Sequence, residues 1–226
     1  MAKKAEEKAV AIELPGIDQE VFTVNIVGDS PLIVHKWSEK AKKEILDKQM
    51  KKASKGKQEK VPARDFLDSL YWLDESGCSI ADNPEINAVT NDTPFEKVQQ
   101  IVAKGRFGFP ACAFKACALD AGYQQGVLAK KTTARGAFHI LGEFAVIEGT
   151  PTMREDMVQV GGMSKVADIR YRGEFRQWKT TLTIRYNKNA ISPEQIINLL
   201  AYGGFSNGVG EWRPSKDGSF GTFHVE

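Results

Sequence analysis

The chain has 226 residues, 42% of them apolar and 27% charged, with a formal net charge of +2. That balance supports a sizeable buried core and excludes wholesale disorder. No apolar run approaches the roughly 20 residues that a membrane-spanning helix needs.

The N-terminal stretch Met1 to Lys8 is charged with no apolar run behind it, which is not the pattern of a secretory signal. Three cysteines, Cys78, Cys112 and Cys117, form no paired spacing, so a reduced, cytoplasmic setting is expected. Charge is unevenly distributed. Residues 61–100 carry 2 Lys and Arg against 8 Asp and Glu, and residues 101–190 carry 14 against 7. A basic middle and an acidic segment suit a polyanionic ligand or association between unlike surfaces.

Residues 1–18 read as a flexible lead-in ending after Pro15-Gly16, and residues 19–226 as a single domain. Val21 to Val27 alternates as a half-buried strand, broken by Gly28-Asp29-Ser30-Pro31. From Ser38 to about Ala53 the pattern is helical, with six lysines around a thin apolar stripe. A second helix is expected over Ala63 to Leu73 and an acidic loop over Asp74 to Thr93. A third helix is expected from Pro94 to Lys104, with Thr93 as its cap. Pro110 opens a helix to Ala121 whose small residues allow close packing, and Cys112 and Cys117 read as packing residues there. Further strands are expected at 137–147, 180–186 and 219–225, with a helix from Pro193 to Tyr202 stopped by Gly203. The Gly-rich, basic stretch 149–179 reads as a protruding arm containing a hairpin near Met157 to Val160. The resulting order is βαββαβ, an α+β ferredoxin-like or RRM-like core with insertions at 28–109 and 148–179.

Familiar catalytic patterns are missing. The sequence has no zinc-type Cys/His spacing, no phosphate-binding G-x-x-x-x-G-K-[ST] and no G-x-S-x-G elbow. No cofactor and no metal site are expected. Three segments carry binding chemistry instead. Gly203 to Gly221 holds six glycines, whose backbone can approach a phosphate closely; Gly208 and Gly210 would present amides, Arg213 and Lys216 charge, and Trp212 a stacking face. Lys115 lies near the first turn of the 110–121 helix, where an anion is favoured. The arm interleaves Arg154, Lys165, Arg170, Arg172, Arg176 and Lys179 with methionines and aromatics, a composition suited to single-stranded nucleic acid. Each has a plainer reading: a flexible hairpin, a lysine snorkelling from a core helix, and a solvated arm.

The stretch F-P-A-C-A-F-K-A-C-A-L-D-A (109–121) resembles the helix of the RAMP superfamily, and G-G-F-S-N-G-V-G-E-W-R-P-S-K-D-G-S-F-G-T-F-H-V (203–225) resembles that superfamily's C-terminal glycine-rich loop. The likeness spans roughly 105–147 and 180–226. Ala116 stands where the family usually has glycine, and Gly28 to Leu32 is only similar to the family's early pattern. The resemblance implies a ferredoxin-like fold with a protruding thumb. It also implies a non-catalytic subunit that binds guide RNA, stacks with its own copies and meets other subunits of a CRISPR-type ribonucleoprotein. Some members cut RNA with an early aspartate, for which Asp29 is the nearest match. Two alternatives stay open: a single-stranded DNA-binding or annealing protein of a phage or mobile element, and a module that binds a protein through the acidic 61–100 segment.

Overall fold

The computed structural model describes residues 16–37, 39–52, 59–160 and 166–226. In chain order its elements are β1 (Gln19–Gly28), β2 (Leu32–Val34), α1 (Glu39–Gln49), α2 (Pro62–Asp68), β3 (Tyr71–Trp72), α3 (Phe95–Ala103), β4 (Phe107–Pro110), α4 (Ala111–Gln124) and α5 (Lys131–Arg135). They continue with β5 (Phe138–Ile140), β6 (Phe144–Ile147), β7 (Pro151–Val160), β8 (Val166–Phe175), β9 (Lys179–Asn187), α6 (Pro193–Ser206) and β10 (Phe223–Val225). Residues 1–15, Ser38, 53–58 and 161–165 lie outside the described residues, and with them most of the lead-in expected over 1–18.

The molecule mixes helices with three antiparallel sheets. A four-stranded sheet has the order β10-β1-β9-β5, and two three-stranded sheets have the orders β2-β8-β7 and β3-β4-β6. In the first, Thr23 is opposite Thr183, Ile26 opposite Val225 and Phe138 opposite Tyr186. Alternation along these strands sends Val24, Ile26, Phe138, Leu182, Ile184 and Phe223 into the core.

Two helices cover that apolar side. α4 follows Pro110, whose fixed φ of −54° and missing N–H suit a helix entry, and it continues through alanine-rich sequence of high helix propensity. α6 starts from a capping box, Ser192 with Gln195, and has Pro193 in its first turn. Small residues bring the two close. A Cβ on Gly203 would lie 3.0 Å from the backbone of Ala118, and one on Gly204 would lie 2.0 Å from the carbonyl oxygen of Phe223. Phe114 on α4 then meets Trp178 and Phe223 edge-on or tilted, and one apolar cluster runs on to Phe175 and Phe107 of the other sheets.

Several sequence expectations need correction. The strand expected over 137–147 is two strands in different sheets. Gly142, at φ +85°, breaks it, so that β5 pairs with β9 and β6 with β4. The helix expected over 63–73 stops at Asp68. Its apolar tail turns into β3, because Tyr71 and Trp72 pair with Gly108 and Phe107 and the Trp72 indole donates to the Leu67 carbonyl. Thr93 does not cap α3; its hydroxyl accepts from the Thr90 amide, while the Pro94 carbonyl takes the first helical bonds. The helix from Pro193 runs through Gly203 to Ser206, because both glycines are needed for close approach. The last strand shortens to three residues, since the Phe220 and Gly221 amides bond to Trp212 and Pro31 instead. The arm's hairpin is longer than its apolar signal: ten residues pair with ten from Pro151↔Phe175 to Val160↔Val166.

The contact between α6 and β10 gives a direct test. Gly204→Val is expected to lower unfolding free energy by about 3 kcal/mol through overpacking. Gly136→Ala, where a Cβ would meet nothing within 4 Å, is expected to be neutral or to stabilise by up to about 1 kcal/mol. Urea unfolding of both variants checks this.

Candidate nucleic-acid interface

The side of the four-stranded sheet opposite α4 and α6 is open. Thr23 and Asn25 of β1, Lys179, Thr181 and Arg185 of β9, His139 of β5 and His224 of β10 are all exposed there, and Val27 and Thr183 are partly so. These are the polar half of the alternation that buries Val24, Ile26, Leu182 and Ile184. Thr181 donates to the Asn25 side-chain oxygen at 3.1 Å. Arg185 and Lys179 make no ion pair among the described residues.

At one edge of this face stands Arg185, and across the β5 edge, on the helix-bearing side, stands Lys115. Lys115 leaves α4 toward β5. Its ammonium donates to the Arg135 carbonyl at the end of α5 (2.7 Å) and sits 5.3 Å from the Phe138 ring centre. Burial, then the Arg135 charge, hold its pKa below the usual lysine range. Burial first, then Lys115 and Arg185, likewise hold His139 below the ordinary imidazole value. At the other end, Lys179 and Val27 continue into a broad groove of about 860 Å³ beside the base of the arm, lined also by Arg176, Thr152 and Glu148. The face is therefore cationic at both ends and hydrogen-bonding between them, a profile suited to a phosphate chain.

The arm is less cationic than its sequence suggests. Arg154 bonds to Asp156 (2.9 Å) and Glu174 (2.8 Å) and stacks on Phe220, with 4.6 Å to the ring centre. Arg172, 4% exposed, bonds to Asp156 at 3.1 Å. Arg170 reaches Asp168 and Arg176 reaches Glu174, both at 3.4 Å, and Lys60 also joins Asp168. Interleaved carboxylates match these cations, so Arg154, Arg170 and Arg172 first build the arm. Arg176 remains largely exposed. Lys165 lies outside the described residues. The arm exposes apolar side chains as well, Met157 at 77%.

The glycine-rich segment has a different job from the one its composition suggested. Gly208, Gly210 and Gly221 occupy the left-handed region at φ +64°, +83° and +70°. A Cβ on Gly221 would lie 1.7 Å from the Val209 carbonyl oxygen, and one on Gly218 equally close to that of Trp212. Most of the segment's amides bond inward; Val209, Glu211 and Gly221 donate to Gly221, Ile33 and Pro31. The glycines thus answer to backbone crowding. Arg213 donates to the Gly210 carbonyl and the Ser215 hydroxyl, and Trp212 and Lys216 are exposed on the surface. Lys115 and Arg213 share no contact, because Lys115 turns to β5 while Ala113, Ala116 and Cys117 of the same helix meet the glycine-rich segment. Lys115 and the glycine-rich segment therefore stand as separate candidates and not as one site.

Asp29 accepts or shares a proton with His224 Nδ1 at 2.6 Å. Among the described residues no group of three or more His, Cys, Asp or Glu side chains converges. No described helix is long and apolar enough to cross a membrane. Cys117 is buried as expected, but Cys112 is exposed, one turn-position away from the Phe114 and Cys117 stripe.

No family model matches the chain, and no curated protein matches it. Among solved structures, the crystal structure of Cmr6 from Pyrococcus furiosus aligns at TM-score 0.37 with 11% identity, covering 93% of this chain and 100% of that one. A superposition this loose transfers neither a fold nor a role.

Two outcomes test this geometry. Arg172→Met, which removes one of the two arginines on the buried Asp156 carboxylate and leaves Arg154, is expected to cost about 1.5–3 kcal/mol in thermal or urea unfolding. Burial pushes the Cys117 thiol up to about 12. At pH 8 a thiol reagent should therefore modify Cys78 and Cys112 rapidly and Cys117 only on unfolding.

Proposed function

We propose that the protein is a non-catalytic, single-stranded nucleic-acid-binding subunit, with RNA as its ligand, and that the strand crosses the open face of the four-stranded sheet. The carrying observation is that face: two cations without an ion pair among the described residues, two histidines and a row of exposed hydroxyl and amide side chains, with no described helix over them. Arg185 at one end and Lys179 with Arg176 at the other would take phosphates, and Thr23, Asn25, Thr181 and Thr183 would meet sugar hydroxyls and base edges between. The β10-β1-β9-β5 order, with α4 and α6 on one side, supports reading the core as ferredoxin-like. The resemblance of residues 109–121 and 203–225 to RAMP sequences supports a place beside guide-RNA-binding subunits, in copies stacked through the arm, in the cytoplasm.

Fluorescence anisotropy with a labelled 12-nucleotide uridine RNA tests the reading. Affinity should fall steeply with salt, and Arg185→Ala with Lys179→Ala should weaken binding and reduce the log–log salt slope by about 1.4. Equal affinity for the DNA of the same length would move the ligand to single-stranded DNA. Unchanged binding in the double variant would remove the sheet face from the account.

A further inference from the structure

At the β5 edge of the open face, His139 and Arg185 stand directly opposite each other on neighbouring strands. Residues so placed in an antiparallel pair have Cβ atoms roughly 5 Å apart and project from the same face. Both side chains are exposed. Lys115 adds a third charge from behind. Its ammonium is held by the Arg135 carbonyl at 2.7 Å and lies 5.3 Å from the ring of Phe138, the residue before His139. Phe138 projects into the core and His139 away from it, so the β5 backbone alone separates Lys115 from the imidazole. Arg135, at the end of α5, faces Lys115.

No carboxylate pairs with His139, Arg185 or Lys115 among the described residues. An imidazole beside two cations and no anion resists protonation. Burial first, then Lys115 and Arg185, hold His139 below the ordinary imidazole value, so the ring is neutral near pH 7 in the free protein. His224, on the opposite edge strand, differs, because Asp29 at 2.6 Å is already its anionic partner.

We propose that His139 is a phosphate ligand of the open face that engages only in its protonated form, so that a strand binds with uptake of one proton. This rests on the reading of the sheet face as the nucleic-acid interface, and gives that face a pH dependence that lysine and arginine alone would not supply. A phosphate seated on Arg185 brings negative charge to the neighbouring ring and reverses the balance set by the two cations. The imidazolium then donates a charge-assisted hydrogen bond to a phosphate oxygen. Because the bound state holds the extra proton, affinity rises as pH falls from the pKa of the complex to the lower pKa of the free protein, and levels off on either side.

Isothermal titration with a 12-nucleotide uridine RNA, at constant ionic strength from about pH 8 to about pH 5.5, tests the proposal. Uracil carries no group that titrates in this range, and the RNA is made without a terminal phosphate, which does. Affinity is expected to rise at least about tenfold toward the acid end, the equivalent of one pKa unit. Buffers of different ionisation enthalpy should register uptake of close to one proton per strand in the middle of the range. His139→Gln should bind with the weaker, high-pH affinity throughout. His139→Lys, charged at every pH tested, should bind tightly throughout, a rescue that a merely structural role for the ring would not give. His224→Gln should keep the pH dependence, whatever its affinity. A wild-type affinity that stays flat with pH overturns the proposal and leaves the sheet-face reading standing. A dependence that survives in His139→Gln, folded by circular dichroism, places the proton elsewhere and overturns it too. Absence of binding at every pH sinks the sheet-face reading and the proposal together.

Discussion

The close approach of α4 and α6 over one side of the four-stranded sheet is the constraint on which the rest depends. Gly203 against Ala118 and Gly204 against Phe223 leave no room for a larger residue. With the two helices that near, Phe114, Leu199, Leu200 and Phe223 are sealed from water, and this burial is the main favourable contribution to folding. Committing both helices to one side leaves the other half of every strand in solvent. The sheet thus gains an apolar and a polar face from the same alternating residues.

The second consequence concerns charge. The arm could have been a bare basic finger. It is instead a ladder in which Asp156 and Glu174 bind three arginines, so its stiffness comes from partly buried ion pairs. Such pairs fix geometry more reliably than they add stability. The free cations lie where the arm meets the sheet and at the sheet's far corner, around Lys179 and Arg185. On the proposed reading, an anionic chain would follow the sheet and not the arm's middle.

Much of the core was legible from the residues. The alternation of Val21 to Val27 and Thr180 to Tyr186 marks β1 and β9, because a half-buried strand must alternate. Pro110 and Ser192-Pro193 mark the starts of α4 and α6 through their missing or capped amides. Local signals could not show where Gly142 sends its neighbours, since a strand glycine fits a bulge, a bend or a break equally well. Nor could they show the pairing of Arg154 with Asp156 and Glu174, which depends on cross-strand register. The glycine-rich segment misled for a similar reason: close backbone packing and phosphate binding both select glycine, and only the contacts of Gly218 and Gly221 separate them. Thr181, Thr183 and Arg185 were visible as the outward half of a strand, but their value as a site comes from neighbours supplied by β1, β5 and β10.

The most direct measurement is ultraviolet cross-linking of a bound single-stranded RNA, followed by mass spectrometric mapping of the modified peptides. The account predicts cross-links in β1, in 179–187, around His139 and in 223–226. Cross-links confined to α1, to 203–218 or to the middle of the arm, with none on the sheet, would contradict it.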